Sequence, residues 1–212
     1  MSARTTPPFR ADHVGSLLRP PELLRARDEF TAGKIPAEEL RTIEDEAIEA
    51  VVRMQRDAGL RSATDGEFRR AAWHMDFIYQ LGGISRAPEE LKIHFRNEQG
   101  DLEFTTAALQ VDGRIHLEHT IFGPDFQFLQ GLVAGTGVTP KLTIPSPNMV
   151  HYRGGRATID QRVYPEMEEF WADLAAAYAE EVRRLGELGC TCLQFDDSTS
   201  GEAPATRGKP DE

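Results

Sequence analysis

The segment of residues 64–70 constrains the fold most, because it places two carboxylates and a glycine directly behind a short apolar run. Residues 60–63 have the pattern of a strand, and a helical pattern follows the segment. In parallel α/β folds, ligands bind where strands end and loops begin. The segment therefore predicts a binding site that includes Glu67. An ordinary strand-to-helix turn, with Glu67 paired to Arg69 or Arg70, fits the same residues.

Composition limits the class of protein. The chain has 212 residues, of which 40% are hydrophobic and 28% are charged, and this fits a soluble globular domain. A net charge of −11 argues against nucleic acid and anionic membrane partners. The sequence contains neither a membrane-spanning apolar run nor the pattern of a signal peptide. Cys190 and Cys192 lie too close together for a secreted disulfide framework. These features predict a cytoplasmic protein.

Apolar periodicity predicts strands alternating with helices, which is typical of a parallel sheet. The predicted strands cover residues 9–16, 60–65, 141–144 and 190–195, and the predicted helices begin near residue 22 and cover residues 36–59, 71–81, 126–133 and 161–188. Between the second and third strands, apolar residues alternate around Asp112 and Gly113. This pattern predicts an inserted antiparallel β-hairpin that turns at those two residues.

Polar residues follow each predicted strand, which is typical of the catalytic face of a (β/α)8 TIM barrel. They are His13, Ser16, Asp65, Glu67, Ser146, Asp196 and Asp197. Such barrels have eight strands in about 250 residues. The four βα units here therefore predict the first half of a barrel, and its open edges predict self-association. The domain prediction is a flexible arm over 1–8, a partial barrel over 9–197 and a disordered polar tail over 198–212.

Four segments carry a resemblance to a known family. They are residues 9–20, 64–70, 73–77 and 193–197. In these residues the chain resembles the C-terminal catalytic barrel of cobalamin-independent methionine synthase and its short single-domain relatives, in their N-terminal part only. The resemblance implies a zinc-dependent methyltransferase of methionine biosynthesis. That enzyme transfers a methyl group from 5-methyltetrahydrofolate, a pteroylglutamate, to the sulfur of homocysteine.

The resemblance also implies roles for individual residues. Gly15 and Ser16 would hold the homocysteine carboxylate, while Glu67 and Asp196 would bind its amino group. No residue is assigned as the acid that protonates the folate. His13 and His74 are the nearest candidates for that catalytic role.

Zinc is expected from the family, but this sequence offers no ligands for it. The family binds zinc through a His-x-Cys pair, a glutamate and a distant cysteine, and no such segments follow Asp197. Cys190 and Cys192 lie within a predicted strand, ahead of the binding edge, and are predicted to be buried structural cysteines. We therefore expect the zinc ligands of the family to lie beyond this chain.

Two alternatives to a methionine synthase remain open at this stage. Zinc-dependent alkyl transfer to another thiol would keep the fold and change the electrophile. A non-catalytic remnant or binding protein, truncated from a longer enzyme, would keep only the substrate-binding residues.

Overall fold

The computed structural model describes residues 5–87, 91–97, 100–106, 109–152 and 154–197. The helices are α1 Pro21–Thr31, α2 Ala37–Asp57, α3 Met75–Ile78, α4 Gly123–Val133 and α5 Met167–Glu187, with 3-10 turns at Pro147–Val150 and Gly155–Thr158. The strands are β1 Ser62–Ala63, β2 Leu81–Arg86, β3 Leu91–Asn97, β4 Gly100–Thr106, β5 Leu109–Leu117, β6 Thr139–Pro140, β7 Leu142–Pro145 and β8 Leu193–Asp196. The predicted polar tail and the first half of the predicted arm lie outside the described residues.

The two long helices form where the sequence predicts them. Pro36 precedes α2 and Gly59 follows it, and the apolar stripe between them is buried at residues such as Ile48 and Val52. Helix α5 likewise buries Phe170 and Leu174. No helix in the described ranges is both long and apolar enough to cross a bilayer.

Parallel pairing connects four chain segments in the order in which they occur in the sequence. Ser16 forms a parallel bridge with Gly66, β1 pairs with β6, and β7 pairs with β8. Only Lys141 separates β6 from β7, so these two strands are consecutive parts of one extended segment. The α/β fold is therefore confirmed, but the described residues do not form a closed barrel, and the half-barrel stays a prediction.

The prediction of a short first strand over residues 9–16 is wrong, because Ser16 is the only residue of this range that forms a bridge with another described residue. Side chains attach this segment instead. The Nζ of Lys141 lies 2.9 Å from Asp12 Oδ2 and also donates to the carbonyl of His13, while Ser62 Oγ donates to Asp12 Oδ1 at 2.9 Å. Burial opposes ionisation of Asp12, but these hydrogen bonds outweigh it and lower the pKa of the carboxyl.

An antiparallel insertion follows α3, as predicted, but its turn is elsewhere. Strands β2 and β5 pair with each other, and β3 pairs with β4 along their whole length. The predicted turn residues Asp112 and Gly113 lie inside the continuous strand β5. The register between β2 and β5 shifts there. Gly82 pairs with His116 and Ile84 pairs with Val111, so the single residue Gly83 lies opposite four residues of β5.

Gly82 and Gly83 account for the register shift between β2 and β5, and the helix predicted before them is shorter than expected. The predicted helix 71–81 is limited to the four residues of α3, and Gly82 and Gly83 lie in β2 rather than stopping a helix. Gly83 has a φ of 82°, and a Cβ there would lie 2.5 Å from the carbonyl oxygen of Arg114. Only glycine permits so close an approach of the two strands.

A buried tyrosine connects the insertion to α5. The Tyr164 hydroxyl accepts a hydrogen bond from Ile115 N at 2.6 Å and donates one to Asp173 Oδ2 at 2.8 Å. Burial is the main cause that raises the pKa of Tyr164, to about 12. The Tyr178 hydroxyl is also buried, yet it has no hydrogen-bond partner among the described residues.

These two tyrosines give a matched test of the core. We expect Tyr164→Phe to lower the free energy of unfolding by about 1–3 kcal/mol, because it leaves the buried Ile115 N–H without an acceptor. Tyr178→Phe removes the same atom without breaking a hydrogen bond, so we expect a change within about 0.5 kcal/mol. Urea unfolding of both variants is the measurement. Equal losses would contradict this account of Tyr164.

A second buried group on α5 is ionisable. Glu181 is fully buried, its Oε2 accepts from Ile121 N at 3.1 Å, and its Oε1 has no hydrogen-bond partner in the described part of the chain. Burial raises the pKa of Glu181 to about 7, against the opposing effects of the Ile121 N–H and Arg184. The folded chain therefore holds this proton more tightly than the unfolded chain does.

This difference predicts a pH dependence. The stability that the protonated carboxyl gives is fully present below its ordinary pKa of 4.5 and is lost as pH rises through about 7. The loss amounts to at most about 3.5 kcal/mol, at about 1.4 kcal/mol per pKa unit. Glu181→Gln cannot ionise, so the stability difference between variant and parent should change across this pH window. A difference independent of pH would contradict the prediction.

Candidate functional site

A cavity of about 370 Å³ opens where three of the parallel segments end. Its lining residues are Ser16, Arg19, Glu67, Ala71, Ala72, Trp73 and Asp196. Three residues to which the sequence analysis gave substrate-binding roles, Ser16, Glu67 and Asp196, therefore lie around one space. We call it the carboxylate cavity.

Glu67 reaches the carboxylate cavity through an unusual backbone. Its φ is 59°, a left-handed conformation that follows the left-handed Gly66. Three contacts hold this turn. Glu67 N donates to Asp65 Oδ1 at 2.9 Å, and Nη2 of Arg19 donates to the carbonyls of Glu67 and Arg70 at 2.9 and 2.8 Å. The strained turn thus fixes the direction of the Glu67 side chain.

The Glu67 carboxylate is almost completely buried, at 2% exposure. Burial raises its pKa, as do the negative charges of Asp65 and Asp196, while the cations Arg70 and Arg19 oppose the rise. The Arg70 Nη1 lies 3.5 Å from Glu67 Oε1. The sequence left open an ordinary turn in which Glu67 pairs with Arg69 or Arg70, and the pair with Arg70 is present. The same carboxylate also lines the cavity.

Arg69 was the other predicted partner of Glu67, but it pairs with different carboxylates. It forms a close ion pair with Asp45 and lies 3.5 Å from Asp125 Oδ1. Its guanidinium also lies 4.7 Å from the centre of the Phe128 ring. These contacts tie the turn to α2 and α4 rather than to the carboxylate cavity.

Asp196 is the last residue of β8 and also lines the cavity. Gln194 Nε2 donates to Asp196 Oδ1 at 2.7 Å, which orients the carboxylate. The backbone N–H of Ser146 donates to the Asp196 carbonyl at 2.7 Å and fixes the end of the strand. A second carboxylate is thus directed toward the space that Glu67 lines.

Gly15 lies beside the cavity and cannot carry a side chain. A Cβ there would lie 2.4 Å from Thr143 Oγ1 and 3.3 Å from Glu67 Oε1, and its φ is 156°. The segment is held by two hydroxyls, since Thr64 Oγ1 donates to the Gly15 carbonyl at 2.6 Å and Thr143 Oγ1 donates to the Val14 carbonyl at 2.7 Å. Glycine lets the chain pass this close to Glu67 and places the next residue, Ser16, at the cavity.

The two histidines that were candidates for catalysis do not line the carboxylate cavity. The His13 Nε2 lies 2.9 Å from Gln55 Oε1, and Gln55 is a buried residue of α2. His74 contacts the ring of its neighbour Trp73, with 4.6 Å between ring centres. Trp73 itself lines the cavity.

Sequence reasoning missed Arg19 as a site residue. It lines the cavity and bonds to backbone carbonyls 48 and 51 residues away. Nothing local marks this arginine, which simply precedes two prolines. The dense charge of the 64–70 segment did point to Arg70, but only as a partner of Glu67.

The described residues do not fit a catalytic zinc ion. Nowhere in the described ranges do three or more His, Cys, Asp or Glu side chains cluster in a way that could hold a metal. Cys190 and Cys192 are half-buried rather than fully buried as predicted, and they lie just before β8 rather than within it. Burial raises the pKa of both thiols, which disfavours the thiolate form that binds zinc.

Comparison with curated proteins finds similarity to uncharacterized proteins and, at lower identity, to methionine synthases. No family model matches the chain. The chain is 42% identical over 193 residues to YxjH of Bacillus subtilis, an uncharacterized protein, and 28% identical over 200 residues to a methionine synthase of Pyrococcus abyssi. These alignments cover 91% and 94% of this chain but only 48% and 53% of the relatives. The chain thus spans about half the length of the curated relatives it matches.

Solved structures agree with these matches. A protein of Listeria monocytogenes, provisionally assigned as a vitamin-B12 independent methionine synthase, superposes with a TM-score of 0.75 at 37% identity. The match covers 95% of this chain and 57% of that one. A B12-independent methionine synthase of Shewanella, at 23% identity and a TM-score of 0.58, shares the fold. The resemblance found in the sequence is thereby confirmed: the chain is similar to cobalamin-independent methionine synthases.

Proposed function

We propose that this chain provides the amino-acid-binding half of a methionine-synthase-like methyltransferase. In this proposal, the whole enzyme transfers a methyl group from 5-methyltetrahydrofolate to homocysteine. The observation that supports it most is the convergence of Glu67 and Asp196 on one cavity. Two carboxylates facing one space favour a ligand that carries an ammonium group, because a cation between them relieves their mutual repulsion.

The other cavity residues suit the remainder of an amino acid. Ser16 and the backbone after Gly15 offer donors to a carboxylate, in keeping with the role that the family resemblance implies. Trp73 offers an apolar wall for the side chain of homocysteine. Charged hydrogen bonds of this kind contribute about 1.5–3 kcal/mol each when water is excluded.

The proposal includes the half-barrel. The order of parallel pairing, from Ser16 through β1, β6 and β7 to β8, is the order of successive strands in a (β/α)8 barrel. The relatives are about twice as long as this chain. We infer that the remaining half of such a barrel would lie against β8 and would supply the zinc ligands expected from the family.

The ammonium-binding role can be tested with a matched pair of ligands. We expect Glu67→Gln and Asp196→Asn each to weaken homocysteine binding about tenfold, because each variant removes one charge-assisted hydrogen bond from an open cavity. The analogue 4-sulfanylbutanoate lacks the amino group, so it should bind weakly and equally to parent and variants. Isothermal calorimetry measures both ligands.

Glu187→Gln at the end of α5 serves as a control, since it changes the same charge at an exposed residue that does not line the cavity. If homocysteine and the analogue respond alike to the two cavity variants, the assignment of the ammonium site is wrong.

The open edge of β8 predicts self-association. Phe195 in β8 is 44% exposed, and the described residues pair this strand only with β7. We expect sedimentation to show an average mass that increases with protein concentration. Phe195→Ser should reduce this increase. Val182 on α5 is 41% exposed, so Val182→Ser removes a comparable apolar surface elsewhere. A compact monomer at all concentrations, or equal effects of both variants, would contradict association through β8.

A further inference from the structure

Two residues other than glycine have a left-handed backbone in the described part of the chain. Glu67, with a φ of 59°, lines the carboxylate cavity, and Phe122, with a φ of 58°, directly precedes α4. This conformation is an outlier for a residue as bulky as phenylalanine, and it persists only where surrounding contacts impose it. The strain at Glu67 serves the candidate site, so the strain at Phe122 calls for a reason of its own.

Backbone hydrogen bonds on both sides hold Phe122 in this conformation. The N–H of the preceding residue, Ile121, donates to Glu181 Oε2 of α5 at 3.1 Å. The carbonyl of Phe122 accepts from Phe126 N at 2.8 Å in the first turn of α4. Helices α4 and α5 therefore fix the place from which the Phe122 side chain leaves the backbone.

The ring of Phe122 contacts Arg70. The central carbon of the Arg70 guanidinium lies 4.3 Å from the centre of this ring, and Arg70 is buried. The ring also packs against the fully buried Phe77, with 6.0 Å between ring centres. A guanidinium over the face of an aromatic ring is attracted by the ring electrons, and more strongly when water is excluded. The ring therefore provides Arg70 with a fixed support.

Arg70 in turn contacts two residues that line the carboxylate cavity. Its Nη1 lies 3.5 Å from Glu67 Oε1 and donates to the carbonyl of Trp73 at 3.4 Å. Contact with a ring uses the face of the guanidinium and leaves its in-plane N–H groups for such acceptors. Both distances exceed those of strong hydrogen bonds, so a small displacement of the guanidinium would break both contacts.

We propose that Phe122 is a positioning residue for the carboxylate cavity, and that its ring holds Arg70 in contact with Glu67 and Trp73. Phe122 does not line the cavity, so it acts on a ligand only through Arg70. The inference rests on the proposed function, because it assigns a further residue to the same site.

The charge of Arg70 gives a readout that needs no ligand. Burial is the main cause that raises the pKa of Glu67, and Arg70 is the charge with the largest opposing effect. Asp65 and Asp196 raise this pKa further, and Arg19 lowers it. If the guanidinium moves away, the pKa of Glu67 rises. Since the ionised carboxylate is the form that attracts an ammonium group, homocysteine binding would then fail at a higher pH on acidification.

Carbon-13 NMR titration of the Glu67 carboxyl, assigned with Glu67→Gln, and calorimetry with homocysteine test the inference. Phe122→Leu keeps an apolar side chain but removes the ring face. We expect it to raise the pKa of Glu67 and to weaken homocysteine binding about fivefold near neutral pH. Phe122→Tyr restores a ring and should keep both values close to those of the parent. Phe126→Leu, at a buried phenylalanine one turn along α4, is the matched control and should change neither value.

A double-mutant cycle tests whether Phe122 acts through Arg70. Arg70→Lys keeps the positive charge but loses the planar fork, so it should weaken homocysteine binding by itself. Adding Phe122→Leu to it should then have little further effect. If urea unfolding shows that Phe122→Leu does not fold, Phe122→Met takes its place, because methionine adapts to irregular packing.

Three results would overturn the inference. They are losses that add in the double variant, a pKa of Glu67 that Phe122→Leu leaves unchanged, and equal effects of Phe122→Leu and Phe126→Leu. Failure of the parent chain to bind homocysteine would overturn the proposed function instead, and the NMR titration would still decide the role of Phe122.

Discussion

The left-handed turn at Gly66 and Glu67 determines where the other groups of the candidate site lie. A non-glycine residue in this conformation costs on the order of 1–3 kcal/mol. Arg19 offsets that cost, because its guanidinium donates to the carbonyls of both Glu67 and Arg70. The same contacts attach the segment before α1 to the end of β1. One cation therefore joins the chain segments that carry Ser16 and Glu67, and it does so through backbone groups rather than through the carboxylate itself.

Much of the architecture could be predicted because it depends on local patterns. The stripes of α2 and α5 and the strand–helix alternation follow from side-chain periodicity. The hairpin turn could not be predicted, since Asp112 and Gly113 form a strong turn signal only when both flanking strands pair with each other. Here β5 pairs with β2 instead, and the close approach of Gly83 absorbs the extra residues as an irregularity. A distant partner overrides the local signal.

Some residues of the candidate site could likewise be predicted from the sequence, and others could not. The positions of Glu67 and Asp196 at strand ends follow from the pattern, because parallel strands bring their carboxyl ends to one edge. The parts played by Arg19, Arg70 and Trp73 depend on the exact path of the turn after β1, which no periodicity encodes. The first segment shows the same limit, since a hydrogen-bonded strand was expected and a buried lysine attaches it instead.

The contacts of Lys141 bear on the order in which parts of the chain fold. Lys141 holds Asp12 across 129 positions of sequence, and Thr143 holds Val14 across the same separation. Closing so large a loop is entropically costly and slow compared with forming the local helices. The contacts that join Asp12 to Lys141 and Val14 to Thr143 are then among the last to form in the folded chain. Until synthesis has passed β7, the segment with Gly15 and Ser16 lacks its contacts with Lys141 and Thr143 and is held only by earlier parts of the chain, such as Thr64 and Gly66.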